Sequence, residues 1–169
     1  MNWRPRGPYT VTADPTLWAY PDLDTIPEDQ RPPVVMANDY RLDIDTDETW
    51  QIRVGPAYQA DVVRAALGQG DNLNIALDRG RCAETRQRLA ERRWVPPQRD
   101  VAVARTLVED GVEAAVRRAR RTALYWDTRL CHGLLNWEWA QRHRGADRFL
   151  ADLRALAECV HHRSELVRA

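Results

Sequence analysis

Lysine is absent from this 169-residue chain, and all 25 of its Lys/Arg positions are arginine. The bias runs uniformly along the sequence. It therefore reads as the codon usage of a GC-rich genome rather than as selection for guanidinium forks that grip phosphate. Serine is almost as scarce: Ser164 is the single one, no Gly-x-Ser-x-Gly occurs, and a serine-based triad finds no support. No lysine follows Gly68-Gln69-Gly70, which removes a phosphate-cradling loop. No apolar run approaches the ~18 residues that a membrane span needs, and no charged-then-apolar signal segment opens the chain. A cytoplasmic protein without a membrane partner is expected. Three cysteines, an odd number, fit reduced thiols better than a disulfide framework.

What is present is unevenly laid out. Seven of the ten prolines (Pro5, Pro8, Pro15, Pro21, Pro27, Pro32, Pro33) fall in the first 33 residues, interleaved with Trp3, Tyr9, Leu17, Trp18, Tyr20 and Leu23. Proline removes backbone donors and biases its predecessor away from helix, so residues 1–33 read as an extended, polyproline-like arm. A solvated linker would carry less tryptophan. Trp3, Tyr9, Trp18 and Tyr20 are therefore expected to dock, on the body or on a partner. Charge is uneven too. Residues 14–48 hold ten carboxylates against Arg31 and Arg41, whereas residues 79–121 hold twelve arginines against six carboxylates. Either the acidic segment covers the chain's own basic surface, which needs no extra partner, or that surface meets a polyanion.

From Tyr40 the apolar period is two. Tyr40, Leu42 and Ile44 share one face, and after a turn at Thr46-Asp47-Glu48 the residues Trp50, Ile52 and Val54 repeat it, predicting a β-hairpin over 40–54. Val34-Val35-Met36 is a candidate third strand. Helices are expected over about 57–67, 83–94, 99–143 and 146–166, with Gly80 interrupting any earlier start of the second. The long one rests on apolar positions Val101, Ala104, Val108, Val112, Ala115, Ala119, Ala123, Trp126, Leu130, Leu134 and Trp137. Unbroken it would run roughly 68 Å at 1.5 Å per residue, and Asp110-Gly111 is the natural place for a break. Around Gly145 the last two helices should form an antiparallel hairpin, with Leu130 and Leu134 against Leu153, Leu156 and Val160. The fold class is α+β, mostly α: an arm over 1–33 and one α-rich domain over 34–169, comprising a small β-hairpin and a C-terminal antiparallel helical bundle.

Several constellations could carry chemistry. Asp43-x-Asp45-x-Asp47 suggests calcium, but Glu48 stands where an EF-hand needs glycine and Val54 where it needs the bidentate glutamate, so a solvated strand face is the better reading. Cys131-His132 and Cys159-x-His161-His162 would reach one level of a hairpin pivoting at Gly145, and these are the ligand types that zinc takes. Both cysteines fall at the edge of the apolar stripe, so core thiols are the plainer reading and no cofactor is expected. Arg117-Arg118-Ala119-Arg120-Arg121, with Arg86, Arg92 and Arg93 before it, outlines a basic surface of Arg86, Arg92, Arg93, Arg117, Arg118 and Arg121 for a polyanion or an acidic partner, with Trp94 and Tyr125 as nearby aromatics.

Arg154, six residues and then His161 on a helix of a bundle resembles the ribonuclease signature of HEPN domains, in which an arginine and a histidine line a dimer-interface cleft. The polar residue that usually follows the arginine is Ala155 here. The resemblance implies His161 as a base near a ribose 2′-hydroxyl. Two functions follow. The preferred one is a non-catalytic assembly or interaction subunit of a larger nucleoprotein or virion-like complex. It would dock through the arm and the basic helical face onto a protein partner or a second copy, with nucleic acid as a further partner. The alternative is a small helical hydrolase, HEPN-like or metal-dependent, centred on His161.

Overall fold

The structure, a computed structural model, describes residues 8–18, 27–30, 39–44, 49–122 and 128–168. In chain order its elements are β1 (Tyr9–Ala13), a 3-10 turn (Glu28–Gln30), β2 (Tyr40–Ile44), β3 (Trp50–Val54), α1 (Ala60–Gly68), α2 (Leu73–Ala90), α3 (Gln98–Asp110), α4 (Val112–Arg120), α5 (Leu130–Ala140) and α6 (Ala146–Arg168). The chain is α+β and mostly α.

The sheet follows the alternation of its apolar residues. β2 and β3 pair antiparallel with Leu42 opposite Ile52 and Tyr40 opposite Val54, and Ile52 and Val54 are fully buried. The third strand comes from the arm. Tyr9–Ala13 pairs parallel with β3, Val11 opposite Ile52, in the order β1-β3-β2. Val34-Val35-Met36, the candidate for that role, lies outside the described residues. A polyproline-like conformation was the expectation for the whole arm. The strand forms where Pro8 and Pro15 leave a proline-free window of threonines and valine, residues that suit a pleated, half-buried surface. Past the strand, Asp14 Oδ1 accepts from the Thr16 amide at 3.0 Å and its hydroxyl at 2.6 Å, a turn that returns Leu17 to the core at 2% exposure. A side chain at Gly55 would collide with the Leu17 carbonyl, so glycine is required there. Tyr9 and Trp18 are half-buried against the chain itself, while Trp3 and Tyr20 lie outside the described residues.

The helices depart from their expected bounds for tertiary reasons. α2 starts at Leu73, ten residues before the expected 83, because Asn72 caps it by accepting from the Asn74 amide at 2.9 Å. Gly80 does not interrupt it. α1 approaches so closely there that a Cβ would fall on Val63, and the Gly80 carbonyl accepts from the Gln59 amide at 3.1 Å. The segment expected as one long helix over 99–143 is three helices among the described residues, and the first break falls at Asp110-Gly111, the place expected for one. Gly111, at φ +98°, ends α3 in a conformation that glycine adopts without strain, and the chain leaves helix again after Arg121. The break resets the helical phase. α3 buries Asp100, Val103, Ala104, Thr106 and Leu107, so Val108 of the expected stripe is 43% exposed; Ala123 and Trp126 lie outside the described residues.

Two cores meet at α2. Leu73, Ala76 and Leu77 join the sheet and α1, whereas Ile75, Cys82 and Leu89 join the helical core. In the latter Leu130, Leu134, Leu153, Leu156 and Val160 are all fully buried, the packing expected of the last helical hairpin. Gly133 lets α5 approach: a Cβ there would stand 2.7 Å from Leu153 Cδ2. α6 packs on α2, α3 and α5, and this three-sided arrangement frames the site.

Candidate functional site

Ionised carboxylates are costly to bury, so each needs a cation or a set of N–H donors. Most of the enclosed acids in this fold have one. Asp71, whose side chain is fully buried, receives Arg79 at 2.9 Å and Arg148 Nε at 3.1 Å, with Arg148 Nη2 on the same oxygen. It sits beneath Gly145, where any side chain would collide with its carboxyl group. Asp39 accepts from the Tyr58 hydroxyl at 2.9 Å and pairs with Arg81, whose guanidinium also lies 4.8 Å from the Tyr58 ring centre. Asp100, on α3, caps α5 from a distance. Its oxygens accept from the Arg129 and Cys131 amides at 2.7 and 3.0 Å, at a helix start that has no capping side chain of its own. Burial nonetheless holds Asp100 above the ordinary carboxylate range, with those amides opposing the shift.

Asp78 differs. It lies mid-α2, half-buried, and its one hydrogen bond among the described residues is from Asn136 Nδ2 to Oδ1 at 3.3 Å. Among the described residues no arginine pairs with it. Burial pushes its carboxyl up to about 7, with the Asn136 contact as a small opposing effect. Nearby, His132 Nδ1 meets the Thr128 carbonyl at 3.1 Å and its hydroxyl at 2.7 Å. The carbonyl is served only by the tautomer that has Nδ1 protonated and Nε2 as acceptor, whereas the hydroxyl can serve either tautomer.

These groups line one cavity of about 250 Å³ between α2, α5 and α6. Asp78, Arg81 and Thr85 come from α2, and Thr128, Arg129, His132 and Asn136 from the start and body of α5; the apolar wall is Cys82, Phe149, Leu153 and Leu156. Asp78 and Asn136 also border a second hollow, with Tyr40, Tyr58, Trp139 and His143 on its other sides. Cys82 is buried in the cavity wall. Its thiol is pushed up to about 12, by burial first and then by the Asp152 carboxylate, with Asp78 adding and Arg86 and Arg79 opposing. Cys131 is likewise pushed up to about 12, by burial and then by Asp100.

Of the residues singled out in the sequence for chemistry or binding, His132 alone belongs to this cavity, beside the predicted core residues Leu153 and Leu156. Cys131 is fully buried and accepts from the Thr122 hydroxyl at 3.3 Å, whereas Cys159 and His162 are exposed on α6 and His161 is half-buried. Among the described residues no three His, Cys, Asp or Glu side chains converge as metal ligands. His161 lines a separate cleft with Arg105, Glu109, Arg118, Ser164 and Glu165. Arg154 is exposed two turns earlier on the same helix, roughly 10 Å along the axis. Arg86, Arg92, Arg93, Arg117, Arg118 and Arg121 are all exposed, and Arg93 pairs with Glu91 at 2.6 Å. They divide between α2 with its following turn and α4 with its end; α2 packs on α1, α5 and α6, and α4 on α3 and α5. Among the described residues, Asp39 of the acidic segment meets Arg81 of the basic stretch.

Sequence reasoning did not single out Asp78, Asn136 or Thr128. The signal was a polar row at helical spacing: Thr128, His132 and Asn136 recur every four residues, facing Asp78 and Arg81 of α2. Such a row ordinarily marks a solvent face.

Comparison with known proteins does not place the chain in a family: no protein-family model, no curated protein and no solved structure matches it. No helix of the described residues is long and apolar enough to cross a membrane.

Proposed function

We propose that this chain is a small-molecule-binding protein whose ligand occupies the cavity between α2, α5 and α6. One observation carries the reading: Asp78, an acid pushed up to about 7, faces cavity space with an amide for company while its neighbours are matched by arginines or backbone donors. A carboxylate kept for stability would have a matched partner. One held near neutrality beside a histidine acceptor and an apolar wall suits ligand recognition and proton exchange. Screening the full chain by NMR against a small-molecule fragment set should give hits whose amide shifts cluster at His132, Gly133 and Asn136. Hits that map elsewhere, or none at all, contradict the proposal.

The assembly reading keeps one supporting observation. Arg86, Arg92, Arg117, Arg118 and Arg121 are exposed and make no ion pair among the described residues, and Trp139 is 86% exposed. A polyanion partner would show as binding of single-stranded RNA that weakens steeply with salt. Absence of binding at low salt removes it.

A further inference from the structure

The ligand class can be taken from what the cavity leaves unmatched, an argument that rests on the binding-site reading above. Asn136 gives its Nδ2 to Asp78 and so presents Oδ1 as an acceptor. His132 keeps Nδ1 on Thr128, and in the tautomer that serves the Thr128 carbonyl it presents Nε2 as an acceptor. Asp78 has its second oxygen, Oδ2, without a hydrogen bond among the described residues. Three acceptors therefore stand together along the facing rows of α2 and α5.

The residues that carry donors in the same wall already have partners within the fold. Arg81 is held by Asp39, the Tyr58 hydroxyl at 2.6 Å and the Tyr58 ring. The Thr85 hydroxyl donates to the Arg81 carbonyl at 2.9 Å, the Thr128 hydroxyl lies 2.7 Å from His132 Nδ1, and Arg129 has a partner of its own. An anionic ligand would thus meet carboxylate and lone pairs with few free donors to receive it, at the full cost of unmatched buried polar groups. A ligand rich in N–H donors would satisfy all three acceptors and replace a poorly solvated carboxylate with an ion pair. The opposite wall, Phe149, Leu153 and Leu156, offers apolar surface for a hydrocarbon body.

We propose that the cavity binds a small organic cation: a primary ammonium group among Asp78, His132 and Asn136, carried on an apolar body that lies against Phe149, Leu153 and Leu156. Benzylamine, benzyl alcohol and benzoate share one body and differ in the head group, so they isolate its charge. By calorimetry at pH 8 on the full chain, benzylamine should bind at least ~10-fold more tightly than benzyl alcohol, and benzoate more weakly still. In Asp78→Asn the amine should lose that preference while benzyl alcohol keeps its affinity. The ranking on the unaltered chain decides the matter by itself should the variant fail to fold. Benzyl alcohol or benzoate binding as tightly as the amine overturns the ligand class and leaves the cavity reading standing. An Asp78→Asn protein that still prefers the amine overturns it equally. No binding by any of the three overturns both.

Discussion

Asp71, two residues before α2, and Asp78, seven residues later within it, are treated in opposite ways by the fold. Asp71 is sealed from solvent and held by two arginines, from α2 itself and from α6, under a glycine that leaves no room for anything else. Asp78 faces open volume and receives one amide. The same residue type, before the helix and within it, is in one place a structural knot and in the other a group kept uncomfortable. A matched buried ion pair can repay its desolvation only with good geometry on every oxygen, and Asp71 has it. An unmatched acid lowers stability, which proteins tolerate at sites where the acid has work to do.

Substitution should separate the two. Asp71→Ala should be the most damaging, costing about 3 kcal/mol in chemical denaturation. That is the low end for one-sided removal of a buried pair, because Arg148 is 42% exposed and Arg79 keeps Asp152 at 2.8 Å. Asp100→Ala should follow at about 2–3 kcal/mol, since it leaves the first amides of α5 without acceptors inside the protein. Asp78→Asn should have the opposite sign. Its carboxyl, raised from 3.8 to about 7, makes the folded chain hold a proton that the unfolded chain releases. The associated stability is fully present below about pH 4 and lost as pH rises through 7. Asp78→Asn should therefore match the parent near pH 4 and exceed it by roughly 1–3 kcal/mol at pH 8, measured as a difference in unfolding free energy. The smallest effect belongs to exposed charge remote from both acids: Arg117→Gln with Arg118→Gln should shift stability by less than ~0.5 kcal/mol.

The contrast between the two acids also shows what was legible in the sequence. Local periodicity marked the β2–β3 hairpin and the α5–α6 hairpin, including the buried leucines, because each depends on residues close in the chain. The strand β1 was not legible, since its partner β3 lies about forty residues away and the prolines around it argued for irregular chain. Gly80 read as a breaker because a glycine's cost to a helix is local, while its benefit is contact with Val63 on another helix. Asp100 as the cap of α5 spans some thirty residues. Asp78 was hidden for the same reason: between Leu77 and Arg79 it is an ordinary helix acid, and only the neighbouring helices decide that no arginine of the described residues reaches it. Of the candidate site, His132 alone was visible, and for a different chemistry.

The most direct test of the account is the titration of the Asp78 side-chain carboxyl carbon by NMR in the full chain, assigned by its loss in Asp78→Asn. The account predicts a midpoint near 7. A midpoint in the ordinary carboxylate range near 4 would place Asp78 beside Asp71 as a matched, structural acid and contradict the proposed site.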